Sequence, residues 1–342
     1  MRAFVLDRYG AGQPLRLAEV PDPAPGDEDV LIEVHAAGLN PLDSKVRDGH
    51  FKVFLPYRTP LILGHDVAGK VIQVGKAVRG FAVGDAVYAR PRDGRIGTLA
   101  ERIAVPAGDV ALKPARLSMT DAASLPLTAL TAWQALVERG QVKTGDKVLI
   151  HAGAGGFGVV AIQLARYLGA SVATTVSPAG AELVRSLGAE TLIDYGSQDF
   201  TKVLSGHDVV ISSLDEPTLE RSVDVLKPGG VLISLTGPPD PPFARDMNLS
   251  LPLRLLVAVL SRKIRRRARA RSVDYQFLFM RADGDQLSKI TALVETGAIR
   301  PVLDRVFAFE DTSAAFAYLD QGHAKGKVVV EVRQEIASKP RL

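Results

Sequence analysis

"HAGAGGFG", residues 151–158, sets glycines at 153, 155, 156 and 158. Glycine loses more backbone freedom on folding than any other residue, so four in eight positions imply a need for bare backbone. The flanks show what kind of need. "KVLIHA" (147–152) is a short apolar run of strand character. "FGVVAIQLARYLG" (157–169) has helical spacing and stops on Gly169. Beyond it the same alternation continues through "SVATTV", "AELVRSLG", "TLIDY", "DVVISSL", "TLERSVDVLKPGG" and "VLISLTG". Apolar strands alternating with helices predict an α/β domain built on a doubly wound parallel sheet.

Between a strand and a helix of such a sheet, glycines permit a tight bend and close approach of backbone to a pyrophosphate. The helix N-terminus then offers free N–H groups to that anion. The turn therefore predicts a dinucleotide site, with a tight ligand-free turn as the plainer alternative. The second strand runs into "SPAG" (177–180), and no acid follows until Glu182. A carboxylate there would bind a ribose 2′-OH and repel a 2′-phosphate. Its absence predicts NADP, with NADPH preferred over NADH. The hydroxyls of Thr175 and Ser177 are candidate donors to the phosphate. Arg185 is the candidate cation, because neither Lys nor Arg stands at 178–180.

The first third of the chain reads differently. "RAFVLD", "DVLIEVHAAGL", "VAGKVIQVG" and "GDAVYAR" are short strand-like runs punctuated by Gly and Pro. They predict a small irregular β-barrel or sandwich. After Phe307 come a helical stretch, "DTSAAFAYLDQG", and a strand, "GKVVVEV", that belongs in pattern with the first domain. The expected division is 1–122 completed by 306–342, and 123–305 with an insertion at about 239–271.

Composition sets the outer bounds. Hydrophobic residues make up 46% and charged residues 23% of 342, as in an ordinary soluble protein. No apolar run approaches the roughly 18 residues of a membrane span, and no secretory leader is visible. The expected location is cytoplasmic, peripheral to a membrane at most. Cysteine is absent, which excludes disulfides and thiolate metal ligands. The net charge of +4 is local: Arg262, Lys263, Arg265, Arg266, Arg267, Arg269 and Arg271 are seven cations in ten residues, and without them +4 − 7 leaves −3. They follow the apolar stretch "LPLRLLVAVL" (251–260). That pairing predicts either a helix packed on the domain or a dimer partner, or an interfacial helix touching an anionic membrane through 251–271. No aromatic residues interleave the arginines, so nucleic acid is not an expected partner.

The motifs "AAGLNPLDSKVRDG", "LGHDVAGKV", "GDAVYA", "LPLTALTAWQAL", "AGAGGFGVVAIQLA", "LIDY" and "HAKGKVVV" run in order along nearly the whole chain. In these the sequence resembles the zinc-independent medium-chain dehydrogenases/reductases, in the quinone oxidoreductase branch. The resemblance implies a GroES-like catalytic domain followed by a Rossmann domain. It implies that Gly155, Gly156 and Gly158 form the pyrophosphate turn and that Ser177 and Tyr195 meet the 2′-phosphate. Thr131 would lie against the nicotinamide and Lys327 near the cofactor, with Thr175 and Thr236 also counted as cofactor-binding. Asn40 and Asp43 would belong to the substrate-side loop. Zinc-dependent relatives carry Cys where Asn40 stands, a His-Glu pair where His65 and Asp66 stand, and a second Cys near Leu127. Both cysteines are missing here and the six histidines show no paired ligand spacing, so no catalytic metal is expected.

Without a Lewis acid the easiest acceptors are those that draw electron density themselves, quinones and activated alkenes. The expected activity is hydride transfer from NADPH to such an acceptor. An enone or 2-alkenal reductase and a non-catalytic NADPH-binding protein are the alternatives. Asn40 is the candidate oxyanion donor, and Lys45 is a second donor or proton source, with Asp43 beside them and Tyr57 and His65 behind. A plain surface pair of Asp43 with Lys45, and a turn-shaping Asn40, are the structural alternatives.

Overall fold

The computed structural model describes residues 1–52 and 54–333. They fall into two compact units, Met1–Leu130 with the chain from Arg281 onward, and Thr131–Met280.

The first unit holds eight strands before residue 113: β1 (Arg2–Leu6), β2 (Arg16–Glu19), β3 (Asp29–Leu39), β4 (Leu61–Ile62), β5 (Asp66–Val74), β6 (Ala86–Ala89), β7 (Arg102–Pro106) and β8 (Val110–Leu112). The second unit holds β9 (Lys147–Ile150), β10 (Ser171–Val176), β11 (Thr191–Asp194), β12 (His207–Ser212), β13 (Leu226–Ser234) and β14 (Asp274–Phe277). The chain then returns to the first unit for β15 (Leu303–Ala308) and β16 (Lys327–Glu331).

β3 organises the first unit. Ten of its eleven residues are buried, which a strand achieves only with neighbours on both edges and cover on both faces. One edge pairs with β5; the other is shared, β7 taking Asp29–Glu33 and β16 taking Ala36–Leu39. The sheet order is β15-β16-β3-β5-β6-β8, with β1, β2 and β4 in a separate three-stranded sheet. β16 brings Lys327 opposite the end of β3, since Val328 pairs with Leu39.

The second unit is a six-stranded parallel sheet in the order β11-β10-β9-β12-β13-β14. Numbered from β9, this is the 3-2-1-4-5-6 order of the doubly wound dinucleotide fold. Its central strands are β-branched and dry: Val148, Leu149, Ile150, Val210 and Ile211 are fully buried. The glycine turn leaves the C-terminal end of β9, next to the point where the strand order reverses, and leads into the helix Gly158–Tyr167.

The division differs from the sequence expectation at both boundaries, 130 in place of 122 and 280 in place of 305. The helix Gly284–Glu295 accounts for the larger shift. The Tyr88 hydroxyl donates to the Leu287 carbonyl at 2.9 Å, and Thr291 donates to the Leu112 carbonyl at 3.1 Å. Gly284 lies so close that a Cβ would stand 2.5 Å from the Val110 carbonyl oxygen. Helical periodicity carries no sign of which sheet a helix covers. The insertion is helical, Pro241–Asp246, Leu251–Leu260 and Arg262–Ala270. Among the described residues no helix is long and apolar enough to cross a membrane.

Candidate active site

In the second unit the glycine turn is built on a strained residue. Ala152 has φ +55°, a left-handed conformation that costs an L-residue roughly 1–2 kcal/mol. The next position must be glycine, because a Cβ on Gly153 would stand 2.1 Å from the Thr174 hydroxyl oxygen. A Cβ on Gly158 would stand 2.5 Å from the Ala152 carbonyl oxygen. These contacts bring the helix hard against the end of β9, as the sequence predicts of a phosphate-binding turn.

A buried hydrogen-bond chain holds Ala152. Its N–H donates to the Thr175 hydroxyl at 3.0 Å, and that hydroxyl lies 3.2 Å from His151 Nδ1. On the far side His151 Nε2 lies 2.9 Å from the Ser222 hydroxyl, which donates onward to the Thr218 carbonyl at 2.8 Å. Because Ser222 spends its proton on Thr218, it accepts from His151 Nε2–H. Nδ1 is then the acceptor from Thr175. Burial, seconded by the Arg221 charge, pushes the imidazole down to about 4, which keeps this tautomer neutral at physiological pH.

This hydrogen-bond chain bears on one residue singled out in the sequence. Thr175 is 3% exposed and its hydroxyl is committed in both directions, so it holds the turn and does not donate to a phosphate. Thr174 donates to the Ile150 carbonyl at 2.7 Å. Ser177 opens the single turn Pro178–Gly180, and its side chain makes no capping bond there. Tyr195 is 68% exposed just beyond β11, and Thr236 donates to the Leu214 carbonyl at 2.9 Å. Thr131 begins the second unit and is buried.

The first unit gathers Asn40, Asp43, His65, Asp66 and Lys327, all no more than 4% exposed. Asp66 is the hub. Its Oδ2 accepts from Lys327 Nζ at 2.9 Å and from Asn40 Nδ2 at 2.9 Å. Its Oδ1 accepts from the Leu127 N–H at 2.6 Å, in the first turn of a helix where such groups lack intrahelical partners. Lys327 Nζ also donates to Asn40 Oδ1 at 2.5 Å. Asp43 accepts from the Asn40 N–H at 2.8 Å and lies 2.6 Å from His65 Nδ1. His65 Nε2 is buried and has no partner among the described residues. Gly64, at φ +109°, turns the chain into this cluster against the Thr98 hydroxyl, where a Cβ would stand at 2.1 Å.

Asp43 thus takes no part in a surface pair with Lys45. Lys45 is half-buried on the helix Pro41–Asp48, and burial lowers its amine below the ordinary lysine range. Tyr57 is pushed up to about 12, chiefly by burial, and accepts weakly from the Gly94 N–H at 3.4 Å. Sequence reading named most of the cluster but not its hub role for Asp66, and it missed His151. The available signal for His151 was a polar side chain closing an apolar strand beside a glycine turn.

Residues 26–115 match the alcohol dehydrogenase GroES-like domain, and residues 187–330 match the zinc-binding dehydrogenase family. The NADPH-dependent alkenal/one oxidoreductase of Arabidopsis thaliana chloroplasts is 37% identical, over 96% of this chain and 79% of that protein. The mitochondrial NAD(P)H oxidoreductase RTN4IP1 of Danio rerio is 33% identical, over 98% of this chain and 92% of that protein. The solved structure of the Coxiella burnetii quinone oxidoreductase superposes with a TM-score of 0.85 at 32% identity, covering 97% of this chain and 99% of that one. A GroES-like unit with a dinucleotide-binding sheet defines an NAD(P)H-dependent oxidoreductase. The chain belongs to the medium-chain dehydrogenase/reductase superfamily, as a quinone oxidoreductase-like member that uses NADP.

The zinc of the matched family name does not fit these residues. Asn40 and Leu127 offer no thiolate, and the Lys327 ammonium stands between Asn40 and Asp66. No group of three His, Cys, Asp or Glu side chains suited to a metal exists among the described residues. The dinucleotide does fit: the glycine turn joins the C-terminal end of β9 to a helix N-terminus beside the point where the strand order reverses, where free backbone N–H groups suit a pyrophosphate.

The His151 chain carries a sign for pH. A folded-state pKa near 4, against 6.5 for the free side chain, gives stability that is fully present above about pH 6.5 and is lost as pH falls toward 4. The whole effect is roughly 3 kcal/mol. His151→Asn should make stability fall less steeply across that window, by up to about 1.4 kcal/mol per pH unit, in urea unfolding at a series of pH values. Parallel profiles for the two proteins would contradict the assignment.

Proposed function

We propose that the chain reduces quinones and other activated carbonyl or alkene acceptors, with NADPH preferred over NADH and without a metal. The observation that carries the cofactor preference is the neutral end of β10. No carboxylate stands there to repel a 2′-phosphate, and the Ser177 side chain makes no capping bond of its own. In this reading Ser177 and Tyr195 meet the 2′-phosphate, with Arg185 exposed on the following helix. The backbone of Gly155, Gly156 and Gly158 takes the pyrophosphate at the helix start. Thr131 and Thr236 are further cofactor contacts. When bound, NADPH supplies a hydride.

The residues of the first unit restrict the acceptor. With no donor set for an electrophilic metal, hydride transfer favours acceptors whose own carbonyl draws electrons, and positioning does most of the work. Asn40 and Asp43 are positioning residues here. The Asn40 amide is engaged at both ends, by Lys327 and by Asp66, and Asp43 orients the His65 ring. Lys45, with its lowered amine, is the candidate proton source. An enone or 2-alkenal reductase remains the sister reading, supported by the name of the Arabidopsis relative.

A second reading concerns partners. Leu251, Leu255, Leu256, Val259 and Leu260 are 51–74% exposed along one helix. Arg262, Arg266 and Arg269 follow, exposed on the next helix. An apolar face with an adjoining cationic one suits the interface of an anionic membrane.

Ser177→Asp should weaken NADPH binding by about tenfold or more and favour NADH. Isothermal titration of both cofactors measures this, and tighter NADH than NADPH binding by the unaltered protein would overturn the preference. For the membrane reading, the protein should sediment with anionic but not neutral vesicles, less so as salt rises. Arg262→Ser, Arg266→Ser and Arg269→Ser together should abolish sedimentation. Failure to sediment with anionic vesicles at low salt, or a salt-stable dimer, would contradict it.

A further inference from the structure

We infer that the Lys327 ammonium is the electrophile of the reaction: it donates a hydrogen bond to the acceptor oxygen as negative charge develops there. The inference rests on the proposed reduction of activated carbonyl acceptors.

Three observations carry it. Lys327 alone among the described lysines is buried, at 4% exposure. An ammonium withdrawn from water is held only by strong partners, and here they are Asp66 and Asn40. Those two bonds use two of its three N–H groups, so a third donor is uncommitted among the described residues. Its network also contains His65 Nε2, a buried ring nitrogen without a partner. A buried ring nitrogen without a partner calls for an explanation, and a bound ligand or water is one. Lastly, the carboxylate that holds the ammonium is itself fixed by the Leu127 N–H and the Asn40 amide. The cation is therefore set in place before any acceptor arrives, the condition under which a donor contributes most to a transition state.

The step balances for an enone. Hydride from NADPH forms a C–H bond at the β-carbon. The C=C π pair moves to the bond between the α-carbon and the carbonyl carbon, and the C=O π pair moves to oxygen, giving an enolate. The enolate oxygen accepts the Lys327 N–H bond, and the α-carbon later takes a proton, for which Lys45 is the candidate source. NADPH is oxidised and the alkene reduced by two electrons. A quinone spreads the incoming pair over its own ring and second carbonyl, so it leans less on the ammonium.

This difference between acceptors is the test. Lys327→Met should lower kcat with a simple enone by about 100-fold or more, the loss typical of one oxyanion donor. With a simple p-quinone the loss should stay within about fivefold, and NADPH Kd within about twofold. Lys327→Met combined with Asp66→Asn, which leaves no unpaired buried carboxylate, should show the same split. Equal losses on both acceptors, a weakened NADPH Kd that accounts for the loss, or failure of both variants to fold would overturn the proposal. So would an unaltered protein that reduces the quinone but not the enone. Turnover of neither acceptor would instead overturn the proposed reaction, and this role with it.

Discussion

A carboxylate with no access to water must be neutralised and hydrogen-bonded where it stands, and Asp66 is such a group. Its partners come from distant parts of the sequence: the amide of Asn40 ahead of a helix, the N–H of Leu127 at the start of another, and the ammonium of Lys327 on the last strand. The strand pairing of β16 with β3 and of β3 with β5 brings Lys327, Asn40 and Asp66 to one place, and the helix start at Leu127 meets them through its N–H. If any partner is lost, the charge is left partly bare, which is far more costly than an exposed pair. The same constraint that closes the first unit around its C-terminal strand also fixes a cation where chemistry needs one.

The second unit solves a different problem. A pyrophosphate turn requires backbone in an unfavourable conformation, and Ala152 at φ +55° takes the strain. The strain is held by a polar chain through Thr175 and His151 to Ser222, wholly within the protein and kept neutral by burial. Stability in this unit therefore feeds directly into the shape of the ligand site, and the glycines around it supply clearance rather than flexibility.

Much of this was legible in the sequence. The alternation of apolar strands and helices gave the parallel sheet, and the placement of four glycines between a strand and a helix gave the turn. Resemblance brought Asn40, Asp43 and Lys327 to notice. What sequence could not convey was pairing: the residue at 327 meets residues 40 and 66 only through strand register. Thr175 illustrates the reverse error, since a hydroxyl at the end of β10 looks available until its neighbours are known. The boundary at 280 was hidden for the same reason, because the helix Gly284–Glu295 shows its amphipathic pattern but not the sheet it covers.

In the first unit the cation that neutralises Asp66 is the Lys327 ammonium, held where a metal would otherwise stand. The most direct measurement is anomalous diffraction at the zinc edge from crystals of the full chain grown with NADPH and excess zinc. Continuous density for Lys327 reaching Asn40 and Asp66, with no anomalous peak in the cluster, is expected. An anomalous peak within coordination distance of His65 Nε2 or Asp66, with the Lys327 side chain displaced, would contradict it.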